Sequence, residues 1–130
     1  MTVAYGFGKV VDGTFDAVVE RTVAALKDEG FGVLTEIDVA ATLEKKIGAK
    51  MPPYRILGAC NPPLAHQAVT AEPEIGLLLP CNVLVRQDDA GAVHVDFMDP
   101  NAVLKLVDRP EIVELAGEVT QKLQRVMAAL

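Results

Sequence analysis

Hydrophobic and polar positions alternate from the start of the chain, with Val3, Tyr5 and Phe7 on one face of a period-two pattern that predicts a first strand over Thr2–Val11. Asp12-Gly13-Thr14 turns the chain, and the period then lengthens. Phe15, Val18, Val19, Thr22, Val23 and Leu26 form a helical stripe that starts behind a Thr14 cap and stops at Gly30. Phe31–Ile37 reads as a second strand. Asp38 caps a short helix, Val39–Ile47, which Gly48 closes, and Lys50-Met51-Pro52-Pro53 makes a stiff connection because proline fixes φ and donates nothing.

Tyr54–Cys60 predicts a third strand. Asn61 and Pro62 stand as N-cap and first residue of a helix to about Ala71, a position where the missing proline N–H costs nothing. Ile75–Gln87 reads as one long strand, with Pro80 inside it forcing a bulge or an unpaired edge. Asp88-Asp89-Ala90-Gly91 loops into the strand Ala92–Met98, and Asp99-Pro100 begins a short helical turn to Val107. Asp108-Arg109-Pro110-Glu111 opens a last helix striped by Ile112, Leu115, Ala116, Val119, Leu123 and Val126. With no repeat and no linker-like break, residues 1–130 read as one domain. Neighbouring strands and two long amphipathic helices predict an α+β two-layer sandwich, a mostly antiparallel sheet with helices packed on one face. The second sheet face needs cover, so a homodimer is the expected assembly.

Composition narrows the function classes. Hydrophobic residues make up 51% of the chain, which excludes disorder, and 12 basic against 18 acidic residues leave a net charge of −6. No block of Lys or Arg offsets that charge, and the six aromatics lie on apolar faces, so neither nucleic acid nor a membrane surface is an expected partner. The greasiest stretch, Ile75–Val85, is too short to span a bilayer. The first residues lack a basic segment followed by an apolar one, so no export signal is expected and the cytoplasm is the expected location. There, two cysteines rest as thiols unless they form a redox couple. The chain contains no serine, which excludes serine nucleophiles, and it has no phosphate-cradling glycine loop and no His-Glu-x-x-His.

The chemistry-bearing residues cluster between 54 and 85. Cys60 ends a strand one residue before a helix N-cap, where free N–H groups and the helix dipole favour a thiolate. If the third and fourth strands pair, Cys81 comes close to it. His66 and Glu72 follow on the intervening helix, and Asn61 and Asn82 flank the two sulfurs. Two thiolates, an imidazole and a carboxylate would suit a soft metal, with Cys60 and Cys81 as its ligands, or a thiol redox cycle. Each residue also has a plain structural role to fill. Cysteine packs as a small hydrophobe, His66 suits a solvated helix face, and Glu72-Pro73 suits a helix end. His94 and Asp96 share the strand face opposite Val93, Val95 and Phe97, which makes them solvent-facing, or interface residues if that face is covered.

Leu57-Gly58-Ala59-Cys60-Asn61-Pro62 and Leu79-Pro80-Cys81-Asn82-Val83, with Glu72-Pro73 between them, closely resemble the domain of unknown function 302 family of small bacterial and archaeal proteins. The resemblance covers essentially the whole chain. It implies a TATA-binding-protein-like β-α-β(4)-α fold and commonly a homodimer, and it implies no established activity. The chain departs from those family members that carry an export signal. Two functional expectations stand at this point. One is a small-ligand, soft-metal or thiol-redox site around Cys60 and Cys81, with His66 or Glu72 as supporting base. The other is a non-enzymatic homodimeric module in which these cysteines are structural. An enzyme using Glu72 with Asp96 is a third class that nothing in the sequence positions.

Overall fold

Five strands form one antiparallel sheet in the computed structural model, which describes residues 3–130: β1 (Gly6–Val11), β2 (Gly32–Asp38), β3 (Tyr54–Cys60), β4 (Cys81–Gln87) and β5 (Val93–Met98). Their order across the sheet is β1-β5-β4-β3-β2, so consecutive strands pair from β2 to β5 and β1 closes the far edge against β5. Among the described residues five α-helices complete the fold: α1 (Phe15–Asp28), α2 (Val39–Ile47), α3 (Pro62–Ala71), α4 (Pro100–Val103) and α5 (Pro110–Ala128). The α+β sandwich with the β-α-β(4)-α order is therefore what the chain adopts.

Strand alternation divides the sheet into two unlike faces. Val83, Val85, Val95, Phe97 and Leu57 point to one side and are fully buried, meeting Val18 and Leu26 of α1 and Ile112, Leu123 and Val126 of α5. Phe7 and Phe97, paired across β1 and β5, stack on this side with ring centroids 5.5 Å apart. On the other side, away from α1 and α5, Val10 and Ile37 remain about half exposed. α2 buries none of its residues, although Asp38 Oδ1 caps it by accepting from the Ala41 N–H at 2.9 Å.

Helix ends follow the local chemistry. Thr14 Oγ1 accepts from the Ala17 N–H at 3.2 Å and starts α1. α1 ends in a Schellman arrangement: Phe31 N–H bonds to the Leu26 carbonyl, and Gly30 N–H to that of Lys27. Gly30 takes φ +85°, which a side chain would resist, and the turn drives Phe31 into the core at 2% exposure.

Two expected strands are shorter than the pattern suggests. The first begins at Gly6, since residues 3–5 form a turn that leaves Tyr5 exposed while Phe7 packs inward; Thr2 lies outside the described residues. Residues 75–80, expected as the first part of a strand, are not extended into the sheet: Pro73–Leu78 form a 3-10 turn, and β4 starts only at Cys81, after the cis Leu79–Pro80 bond. The physical reason lies in the partner. β3 pairs with β4 up to Ala59–Cys81, and past Cys60 the chain turns into α3, so residues before Cys81 have no backbone to bond. Pro80 thus precedes the strand, and the bulge sits in β2 between Val33 and Thr35.

Candidate functional site

The end of β3 and the start of β4 form one wall of a cavity of about 360 Å³. Its size follows from small side chains. Ala59 on β3 and Ala65 and Ala68 on α3 stand where larger residues would close the gap, while Leu115 and Val119, one turn apart on α5, form the opposite wall. Phe31, delivered by the turn after α1, and Leu104 seal it further. Thr35 and Asn61 are its polar members, and among the described residues no charged side chain lines it.

Both cysteines lie in this wall, Cys60 half-buried and Cys81 buried, and both are free thiols. Ala59 rather than Cys60 is the cross-strand partner of Cys81. Adjacent residues of a strand point to opposite faces, so the register that brings the two backbones together turns the Cβ vectors apart. Burial pushes the Cys81 thiol up to about 11, and a charge on neighbouring Cys60 would push the same way. Cys81 therefore stays a protonated thiol at neutral pH, which suits packing against apolar matter better than metal ligation.

Asn61 joins the two sulfurs in the cavity wall. It occupies the N-cap position of α3 but makes no capping bond; its Nδ2 donates to the Glu29 carbonyl at 3.4 Å and ties α3 to the end of α1. The other candidates are elsewhere. His66 is exposed and outside the cavity lining. Glu72 faces Arg109, Oε1 to Nε 3.5 Å, bridging α3 to the start of α5. Asn82 is exposed and lines a separate cleft on the open sheet face. Among the described residues no three His, Cys, Asp or Glu side chains converge as a metal cluster would. The periodicity did not reveal the small-residue wall, because its alanines acquire meaning only when α3 lies over β3. It also missed Asp96, which is 8% exposed on the sheet face away from α1 and α5.

A five-stranded antiparallel sheet under one layer of helices, with an apolar cavity where β3 enters α3, defines a two-layer α+β sandwich. The chain belongs to the family described as "Domain of unknown function DUF302", whose model matches residues 7–130. Among solved structures, it is similar to the uncharacterized conserved DUF302 protein from Bacillus stearothermophilus, 26% identical, with 98% of each chain covered and a TM-score of 0.90. No curated protein matches it. Among the described residues no helix is long and apolar enough to cross a membrane.

Proposed function

We propose that this protein binds a compact, uncharged, largely apolar molecule in the cavity between β3, α3 and α5, with Cys60 and Asn61 at its more accessible end and Cys81 deeper in its wall. The observation that carries this reading is a pocket of about 360 Å³ with both thiols and, among the described residues, no charged side chain in its lining, within the ~300–1,000 Å³ usual for small-molecule sites. The soft-metal and thiol-redox versions of the site are less favoured. Cys81 holds its proton at neutral pH, and the one-residue offset between the cysteines works against a disulfide. We place the protein in the cytoplasm, where both thiols stay reduced.

Titration with indole or naphthalene, followed by amide ¹H–¹⁵N spectra, tests the proposal. Shifts should concentrate at Ala59, Ala65, Ala68 and Leu115; Ala68→Leu, which fills the cavity, should abolish them; and bound probe should slow alkylation of Cys60. Scattered shifts, or binding that survives Ala68→Leu, would overturn the reading.

A homodimer through the open sheet face is the second reading, favoured by the exposure of Val10 and Ile37 on the side away from α1 and α5. Sedimentation equilibrium at micromolar concentration checks it, and a monomer would remove it.

A further inference from the structure

The open face of the sheet carries its own site. Cross-strand register lays Ile37, Ile56, Leu84, Asp96 and Gly8 in one row and Tyr54, Arg86, His94 and Val10 in the next. Asp96 is thus a carboxylate in an otherwise apolar row, with a side chain only 10% exposed. Burying a carboxylate is unfavourable, and the chain sacrifices a neighbouring side chain to do it: a Cβ at Gly8 would overlap Asp96 Oδ1 and the Val95 carbonyl oxygen. Arg86 Nε donates to Asp96 Oδ2 at 3.3 Å. Among the described residues Asp96 Oδ1 and the two Nη groups of Arg86 have no hydrogen-bond partner. These groups lie in a cleft of about 450 Å³ whose walls include Tyr5, Tyr54, Leu84 and Met98.

The geometry points to a zwitterion site: we infer that this cleft binds a free α-amino acid with an apolar side chain. The charges select for it. A lone carboxylate attracted to Arg86 is repelled by Asp96, and a lone ammonium attracted to Asp96 is repelled by Arg86. A molecule bearing both charged groups on one carbon satisfies both, its ammonium on Asp96 Oδ1 and its carboxylate on the Nη pair, where two parallel N–H donors match a carboxylate. The aromatic and aliphatic walls then take the side chain. This site is independent of the thiol-lined cavity on the helix-covered side.

The test titrates the full chain with L-phenylalanine, phenethylamine and 3-phenylpropionate, followed by amide spectra. Phenylalanine should shift Tyr54, Leu84 and Asp96 and leave Ala68 and Leu115 in place. The amine and the acid should each bind at least tenfold more weakly. The double variant Arg86→Gln, Asp96→Asn keeps a hydrogen-bonding pair without charge; it should fold by circular dichroism and lose at least tenfold in phenylalanine affinity. Equal binding of the amine or the acid, undiminished binding by the folded double variant, or absence of shifts because sedimentation shows a second copy over this face would overturn the assignment. If the double variant fails to fold, the three-ligand comparison on the wild-type chain decides by itself.

Discussion

The two faces of one sheet hold opposite kinds of space. On the helix-covered side, Ala59 and Cys81 meet α3 and α5 around a cavity without charge; on the open side, Asn82, Arg86 and Asp96 build a cleft whose floor is an ion pair. Both come from the same strands. Val83 and Val85 go to one face while Asn82, Leu84 and Arg86 go to the other, so a single register writes two chemistries into β4. A two-layer fold therefore assigns separate tasks to its faces: a dry side that sets stability and shapes an apolar pocket, and a wet side where a charge can be half-buried because solvent is near.

Stability measurements test this division most strongly. Phe97→Ala, on the covered side at 1% exposure, should cost about 3–5 kcal/mol in urea unfolding. Leu84→Ala, one register position away on the partly exposed open side, should cost about 1 kcal/mol or less. Similar losses at both positions would mean that the open face is covered in solution, and the contrast between the faces would fail.

Next comes the alkaline response of the dry side. Cys81 is held up to about 11 by burial, above the ordinary thiol value of 9.0. Between those two values the unfolded chain loses this proton while the native chain keeps it. The stability associated with the neutral thiol is complete below about pH 9 and falls as pH rises toward 11, by about 2–3 kcal/mol in all. The difference in stability between the wild type and Cys81→Ala, measured from pH 8 to 10.5, isolates this group. At pH 7 only about one Cys81 in ten thousand is a thiolate, so a thiol reagent should label Cys60 first. Equal labelling rates would place Cys81 in a wetter setting than the cavity wall.

Gly8→Ala probes the wet side. The added Cβ meets backbone as well as the Asp96 carboxylate, so β1 must shift away from β5; a loss of about 1–3 kcal/mol is expected. Combining it with Asp96→Ala, which removes the carboxylate but leaves the Val95 carbonyl and the Asp96 Cα in place, should recover part of that loss. An unchanged loss would assign the collision wholly to the β5 backbone and leave the carboxylate no share in the choice of glycine.

Much of this architecture was legible before any coordinates. The stripes of α1 and α5, the Asp38–Gly48 limits of α2, and the Tyr54–Cys60 strand depend on neighbours within one or two turns, and local pattern reports such neighbours faithfully. The segment 75–80 misled because its composition is that of a buried strand, whereas strand formation needs a partner that α3 had already withdrawn. The candidate site was legible in part. Pairing of β3 with β4 does bring Cys60, Cys81 and Asn61 to one cavity, but His66 points to solvent and Glu72 to Arg109, since a helix face is settled by what it packs on. Asp96 was invisible as a buried group because its burial depends on Gly8, almost ninety residues away in sequence and adjacent only across β1 and β5.

The smallest effect concerns the tip of the wet side. Asp88 holds the β4–β5 turn: Oδ1 accepts from the Ala90 and Ala92 N–H groups at 3.0 and 2.9 Å, and Oδ2 lies 2.8 Å from His94 Nε2. The bond to His94, followed by that from Ala92, lowers the Asp88 pKa below its ordinary value. A depressed carboxylate contributes stability that is present above the unfolded value of about 4 and is lost as pH falls through the lower native one. Asp88→Asn keeps an oxygen for the two backbone donors and removes the charge. It should leave the hairpin intact at pH 7 and flatten the acid limb of the stability curve below pH 4. Asp88→Ala also removes the acceptor, so faster hydrogen exchange at Ala92 should appear at both pH values. If Asn and Ala behave alike at pH 7, the turn draws its order from Gly91 at φ +89° and the strand pairs behind it, and the carboxylate is there for His94 alone.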